Sequence, residues 1–179
     1  MWSPGRKRSA GFSLIEVMLV VLMIGILSTL AGTAWQRYLK RSRTTEAVGH
    51  LQKMWSGEIA YYEADHADSG GVMKSKQFAG SCTAAPMEVP CCDQPNKRCS
   101  ESAPAYSSDP WVAIGFNIPD VHNYRPTLTA CPNTSSIVME VWGDLDCDNT
   151  FAKFIRRADV TANGDVSGYL TPAVINETE

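Results

Sequence analysis

Eighteen consecutive residues, Val17 to Ala34, carry no charge, and the apolar run extends back to Phe12 with Glu16 as its single ionisable side chain. A run of this length predicts a helix able to cross a membrane, for which about 20 apolar residues suffice. No proline occurs between Pro4 and Pro86, so nothing in that interval forbids one continuous helix. Beyond Ala34 the pattern changes. Val48, Leu51, Trp55, Ile59 and Tyr62 recur at steps of 3 and 4, with His50, Lys53, Ser56 and Glu58 between them. That spacing predicts an amphipathic second half that lays one stripe against a core. Ser69-Gly70-Gly71 supplies breakers, so the helix should end between Ala64 and Asp68. From Phe12 its length would be roughly 80 Å at about 1.5 Å per residue.

Residues 68–110 lose all periodicity and hold Pro86, Pro90, Pro95, Pro104 and four of the cysteines. A loop region this long inside a domain needs staples or a function. Strand-like patterns follow in Trp111–Ile118, Tyr124–Cys131, Ser136–Trp142, Thr150–Arg157 and Val166–Leu170, with Asn163-Gly164 as a type I′ hairpin pair before the last. The expected fold class is therefore α+β: a long N-terminal helix, half apolar and half amphipathic, packed on an antiparallel sheet. The expected organisation is a basic leader (1–11), an apolar helix (12–34), its amphipathic continuation (35–67), a Cys/Pro-rich loop region (68–110) and a sheet head (111–179).

Charge narrows the functional classes. The 179 residues hold 16 Lys+Arg and 19 Asp+Glu. Removing Arg6, Lys7 and Arg8 with the leader leaves 13 basic against 19 acidic residues, a net charge of −6. An acidic head disfavours nucleic-acid binding, which draws its affinity from cations on phosphate. All six cysteines (Cys82, Cys91, Cys92, Cys99, Cys131, Cys147) lie beyond the apolar run. An even count there predicts three disulfides in an oxidising compartment, with fifteen possible pairings. A metal site at Cys91, Cys92 and Cys99 is disfavoured, because adjacent cysteines chelate poorly.

The residues at the start of the run carry a resemblance. Gly11-Phe12-Ser13-Leu14-Ile15-Glu16 followed by a long apolar helix resembles the class III signal sequence of type IV prepilins and of the type II secretion pseudopilins. The resemblance implies cleavage after Gly11 by a membrane prepilin peptidase, N-methylation of Phe12, and a role for Glu16 in filament assembly. It further implies an assembly platform with its ATPase and other pilin subunits as partners, and a pilin-like head. Localisation follows: a single-pass inner-membrane precursor with its head outside the cytoplasm, then a cell-surface or periplasmic filament. Many pilins have proline where this chain has Thr33. Basic residues flank the run on both sides (Arg6, Lys7, Arg8; Arg37, Lys40, Arg41, Arg43), so the positive-inside rule is nearly balanced and orientation rests on the resemblance and the cysteines. The alternatives are a pseudopilin acting in secretion and a membrane-anchored exported binding domain that never polymerises.

Other candidate chemistry is thin. An intramembrane acid is expensive and marks function, so Glu16 leads, with snorkelling to the headgroups as its plain alternative. Asp144, Asp146 and Asp148 alternate as calcium ligands do, but the twelfth position from Asp144 is Ile155 rather than a bidentate glutamate, so an acidic turn is the simpler reading. Arg156-Arg157 and Lys97-Arg98 read as solvated cations. No nucleophile elbow, zinc-protease helix or phosphate loop occurs, and His50, His66 and His122 are scattered. No enzyme activity and no cofactor are expected. Trp111, Phe116, Trp142, Phe151 and Phe154 read as core.

Overall fold

The computed structural model describes residues 11–80, 83–101, 103–130, 135–169 and 171–177. One helix, α1, runs Leu14–Glu63, followed by strands β1 (Tyr124–Ala130), β2 (Ser136–Gly143), β3 (Ala152–Val160), β4 (Val166–Gly168) and β5 (Ala173–Ile175). Between α1 and β1 the described residues hold short 3₁₀ turns and two isolated bridges, Ala67–Met73 and Cys99–His122. The chain divides into two compact units, residues 1–39 and 40–179. In the first, Gly11 to Gly32 and Ala34 to Leu39 are all exposed, apolar side chains included.

In the second unit the strands form one antiparallel sheet ordered β1-β2-β3, and β4 and β5 both pair along the far side of β3. Register puts Pro126, Val141 and Phe154 side by side, and likewise Leu128, Met139 and Arg156. Strand alternation sends these residues to one face. That face and residues 44–62 of α1 close the core around Leu51, Met54, Tyr62, Met139, Val141 and Phe154. Residues 85–89 run along the outer edge of β1. Ala85 N donates to the Leu128 carbonyl at 2.7 Å, and Arg125 Nη1 donates to the Glu88 carbonyl at 3.0 Å. The Ala85 bond satisfies one outward carbonyl of the β1 edge, a partial cover for that edge.

The amphipathic stripe of α1 is rotated from the expected one. Thr44, Ala47, Leu51, Met54, Glu58 and Tyr62 are the buried positions, whereas Val48 is 45% exposed. Small residues decide the face. Gly57 meets the Ile114 carbonyl so closely that an added Cβ would overlap it, and Ala47 is fully buried. Bulky Trp55 sits at the flank, where its ring lies 3.8 Å from the Arg156 guanidinium. Glu58, expected on the polar side, is 1% exposed. Gly57→Ala should therefore destabilise the head despite alanine's better helix propensity. Overpacking against backbone costs about 1–3 kcal/mol, against a gain of at most about 1. A lowered urea midpoint would show it; an unchanged or raised one would mean that Ile114 yields.

Two other expectations change. Trp111–Ile118 is not a strand but a chain of tight turns. Val112 N bonds to the Ser108 carbonyl, Ile114 N to that of Pro110, and Phe116 N to that of Trp111. Gly115 has φ 64°, which breaks any strand, yet Trp111, Ile114, Phe116 and Ile118 are all buried, so apolar spacing there reports core without ladder pairing. The β3–β4 hairpin is not type I′. Gly164 has φ 85° while Asn163 stays in the ordinary region, and Gly164 N bonds to the Thr161 carbonyl. A type I turn closed by a left-handed glycine fits these bonds. Strand β5 was not expected, because its three residues carry no alternation.

Candidate functional site

Gly11, Phe12 and Ser13 precede the helix, and a Cβ on Gly11 would meet nothing within 4 Å. The Ser13 carbonyl accepts the Glu16 and Val17 amides at 3.1 and 3.2 Å, which starts α1 one turn before the acid. Phe12 precedes Glu16 by four residues, a sequence spacing of about one helical turn. Among the described residues the Glu16 carboxylate has no partner, and Phe12, Leu14 and Ile15 around it are more than 70% exposed. Two hydroxyls of this segment bond within the helix: Ser28 Oγ donates to the Ile24 carbonyl at 2.7 Å and Thr29 Oγ1 to that of Ile26 at 2.8 Å. Fully burying one Leu, Ile or Val side chain is worth about 1.5–3 kcal/mol. This segment therefore strongly favours lipid or other helices over water. α1 is long and apolar enough to cross a membrane.

The head is stapled where periodicity fails. Cys91 bonds Cys99 and Cys92 bonds Cys147, so the adjacent cysteines point to different partners. Cys82 and Cys131 lie outside the described residues. Beneath the first staple, His122 Nε2 faces Glu88 Oε2 at 2.8 Å, while its Nδ1 lies 2.9 Å from the Asp120 carbonyl. Cys99 joins them in a close group, but its sulfur is committed to the disulfide. On α1, Glu46 accepts the Asn123 amide, the Asn123 side chain and the Tyr124 amide, fixing the start of β1 to the helix. Sequence reasoning missed both Glu46 and Glu88; isolated acids carry no pattern that separates them from surface charge.

The acidic stretch is a structured turn. Asp144 accepts the Cys147, Asp148 and Asn149 amides, Asp148 accepts the Thr150 amide, and Asp146 pairs with Lys40 at 2.7 Å. The three carboxylates come within 4.8 Å of one another, each already engaged with protein donors. Arg156 is buried rather than solvated, donating to Gln52 Oε1 at 3.0 Å, whereas Arg157 is exposed. Adjacent strand residues face opposite ways, so the pair splits. Trp142 and Phe151 are half-buried, with Lys153 Nζ 3.5 Å from the Trp142 ring; Trp111, Phe116 and Phe154 are core.

Two buried groups make head stability depend on pH in one direction. Burial alone would lower His122, but the Glu88 hydrogen bond, the Asp120 carbonyl and the nearby acids outweigh it and hold the imidazole above its ordinary value. Its contribution is full below the unfolded value of about 6.5 and is lost as pH rises through the folded one. Burial pushes Glu58 up to about 8 against only one opposing hydrogen bond, from Ala79 N. The folded chain then keeps a proton that the unfolded chain releases, so stability falls with rising pH at up to about 1.4 kcal/mol per unit. Glu58→Gln should flatten this decline between about pH 5 and pH 8 and raise stability at the alkaline end. Parallel urea titrations test it; an unchanged slope would mean that Glu58 reaches water.

An exposed apolar helix with one unpaired acid thus precedes a disulfide-stapled sheet head in the chain. The prokaryotic N-terminal methylation motif matches residues 6–32. The type IV major pilin protein PilA of Myxococcus xanthus is 25% identical over 175 residues, covering 83% of this chain and 79% of that protein. A fimbrial protein of Pseudomonas aeruginosa is 36% identical over 73 residues, covering 40% of this chain and 47% of the relative. Fimbrial protein Q of Moraxella bovis is 51% identical over 41 residues, covering 23% of this chain and 26% of the relative. In these last two cases the match spans less than half of the relative. No solved structure matches the chain. The chain thus carries the prepilin-type N-terminal methylation motif and is similar to type IV pilin and fimbrial proteins.

Proposed function

We propose that the chain is a filament subunit, cut between Gly11 and Phe12 by a prepilin peptidase, methylated on Phe12, and assembled through the apolar half of α1 by a platform and its ATPase. The observation that carries this reading is the unpaired Glu16, four residues after Phe12, on a helix whose apolar surface is unburied. Cleavage gives Phe12 an ammonium group. Within a bundle of helices the Glu16 carboxylate of one subunit pairs with that ammonium of another, and the pairing fixes axial register. Removing one partner from such a buried pair costs about 3–5 kcal/mol. Until assembly the subunit waits as a single-pass membrane protein with its head outside the cytoplasm, where disulfides form.

A third disulfide, Cys82–Cys131, completes the proposed head. It is the pairing left to an even set of six cysteines once Cys91–Cys99 and Cys92–Cys147 have formed. Nonreduced mature protein should take up no thiol reagent; two reactive thiols would refute the third bridge.

Shearing cells and weighing this protein in the filament fraction against the membrane fraction tests the function. Abundance in sheared filaments supports a surface pilin. Retention in short periplasmic assemblies would favour a secretion pseudopilin, and a purely monomeric membrane pool would refute a filament role.

A further inference from the structure

We infer that the head binds a zinc ion whenever Cys91 and Cys99 are thiols, through those two cysteines, His122 and Glu88. In the oxidised head Cys91 is bonded to Cys99. The groups gathered around that bond are the ones a structural zinc site uses. Glu88, Cys99 and His122 are all buried, and their ligand atoms lie within 4.8 Å of one another. Cys91 is buried too, and its bond to Cys99 brings its sulfur to the same point. Two thiolates, an imidazole and a carboxylate are four donors of the types that hold zinc tetrahedrally. Cys92 takes no part, since it turns away to Cys147. The poor chelation of adjacent cysteines therefore does not arise.

The distances are close to what the ion needs. At ordinary zinc bond lengths, donors around a tetrahedral centre stand about 3.3–3.8 Å apart. His122 Nε2 and Glu88 Oε2 are 2.8 Å apart, so they would open by about 0.5 Å to admit the ion. Bonds other than the disulfide keep these groups in place. Cys99 N donates to the His122 carbonyl at 2.9 Å, and His122 N donates to that of Cys99 at 3.2 Å. Arg125 Nη1 holds the Glu88 carbonyl, and Gln94 Nε2 donates to Glu88 Oε1 at 3.1 Å. His122 Nδ1 lies 2.9 Å from the Asp120 carbonyl, which leaves Nε2 facing the centre. Zinc-bound histidines are oriented in this way, by an oxygen on the other ring nitrogen. The Tyr106 hydroxyl, buried beside Glu88, lacks a hydrogen-bond partner among the described residues. A Glu88 carboxylate turned toward an ion can accept it. Charge also closes: two thiolates and Glu88 leave one negative charge over Zn²⁺, and the buried Arg125 guanidinium offsets it.

A dithiol reductant opens the site. Its two sulfurs join as a disulfide, the Cys91–Cys99 bond breaks, and both cysteines become thiols. Zinc then replaces the two thiol protons, which leave to water with any proton on His122 Nε2. A disulfide oxidant reverses this: it takes up two electrons and two protons to become a dithiol, Cys91 and Cys99 rejoin, and Zn²⁺ is expelled. Before oxidation the ion would hold Cys91 and Cys99 as a pair and leave Cys92 to Cys147. The inference concerns the head alone and is independent of the filament role proposed above.

Titrating the full chain in detergent with Co²⁺ and then Zn²⁺, after reduction by a phosphine, tests the site. The reduced chain should take up one Co²⁺ with a thiolate charge-transfer band that Zn²⁺ abolishes, and the oxidised chain should take up none. Zinc should raise the urea midpoint of the reduced chain, because a ligand of the folded state stabilises it. His122→Ala and Glu88→Gln should each weaken binding by more than about 100-fold, beyond the range of outer-shell changes, and Tyr106→Phe by about 10-fold. Glu88→Gln preserves the side chain's shape, which separates a lost ligand from a failure to fold. Cys92→Ser with Cys147→Ser breaks no bond in the reduced chain and should leave binding intact. Binding that survives both His122→Ala and Glu88→Gln, or that is lost with Cys92 and Cys147, would overturn the inference. So would an unchanged or lowered urea midpoint, which marks zinc held by unfolded thiols.

Discussion

Glu16→Ala should leave membrane insertion and cleavage after Gly11 intact while reducing polymer by orders of magnitude. Alanine makes the apolar run more apolar, so insertion improves if anything. The Gly11–Phe12 junction, which the peptidase must reach, lies before the helix and is unaltered. Assembly differs, because the Phe12 ammonium of each incoming subunit would enter an apolar bundle with no counter-charge. An uncompensated buried ion costs several kcal/mol at each addition, and every 1.4 kcal/mol is about tenfold in equilibrium. Glu16→Asp should be milder but still defective, since its shorter side chain reaches less far. Fractionating cells into cleaved membrane protein and polymer gives the answer. Normal polymer from Glu16→Ala would mean that the acid merely snorkels, and the pairing mechanism would fall.

Removing the Cys92–Cys147 disulfide should destabilise the head more than removing Cys91–Cys99. The first closes 55 residues of chain and the second 8. In the chain-entropy account those loops are worth about 4 and about 2.5 kcal/mol. The native contacts point the same way. Cys147 sits in the turn whose amides Asp144 collects and whose Asp146 holds Lys40 on α1. Releasing it frees the link between the loop region and the sheet. Urea unfolding of Cys92→Ser with Cys147→Ser, against Cys91→Ser with Cys99→Ser, measures the order. A larger loss from the short loop would show that strain or local packing, and not loop closure, dominates.

The helix and three strands were legible because each repeats a period over many residues. Tyr124–Cys131, Ser136–Trp142 and Thr150–Arg157 correspond to β1, β2 and β3 within a few residues. What escaped was set by tertiary contact. The face of α1 turned toward Gly57 and Ala47, residues too small to register as hydrophobic signal. Trp111–Ile118 is apolar at strand-like spacing, yet turns at Gly115 bury it without a partner strand. Glu58 looks polar in the sequence and is core in the fold. At the candidate site the reverse held. Gly11, Phe12 and Glu16 fall within one short motif that adjacency alone singles out, whereas Glu46, Glu88 and Arg156 each take a partner 30 or more positions away.

The central claim is that a membrane peptidase creates the subunit's working end at Phe12. Intact-mass and amino-terminal analysis of the protein extracted from membranes tests it most directly. The account predicts a chain beginning at Phe12 and carrying one N-methyl group. An uncut chain still beginning at Met1, or one beginning after Ala31 with the apolar helix lost, would contradict it.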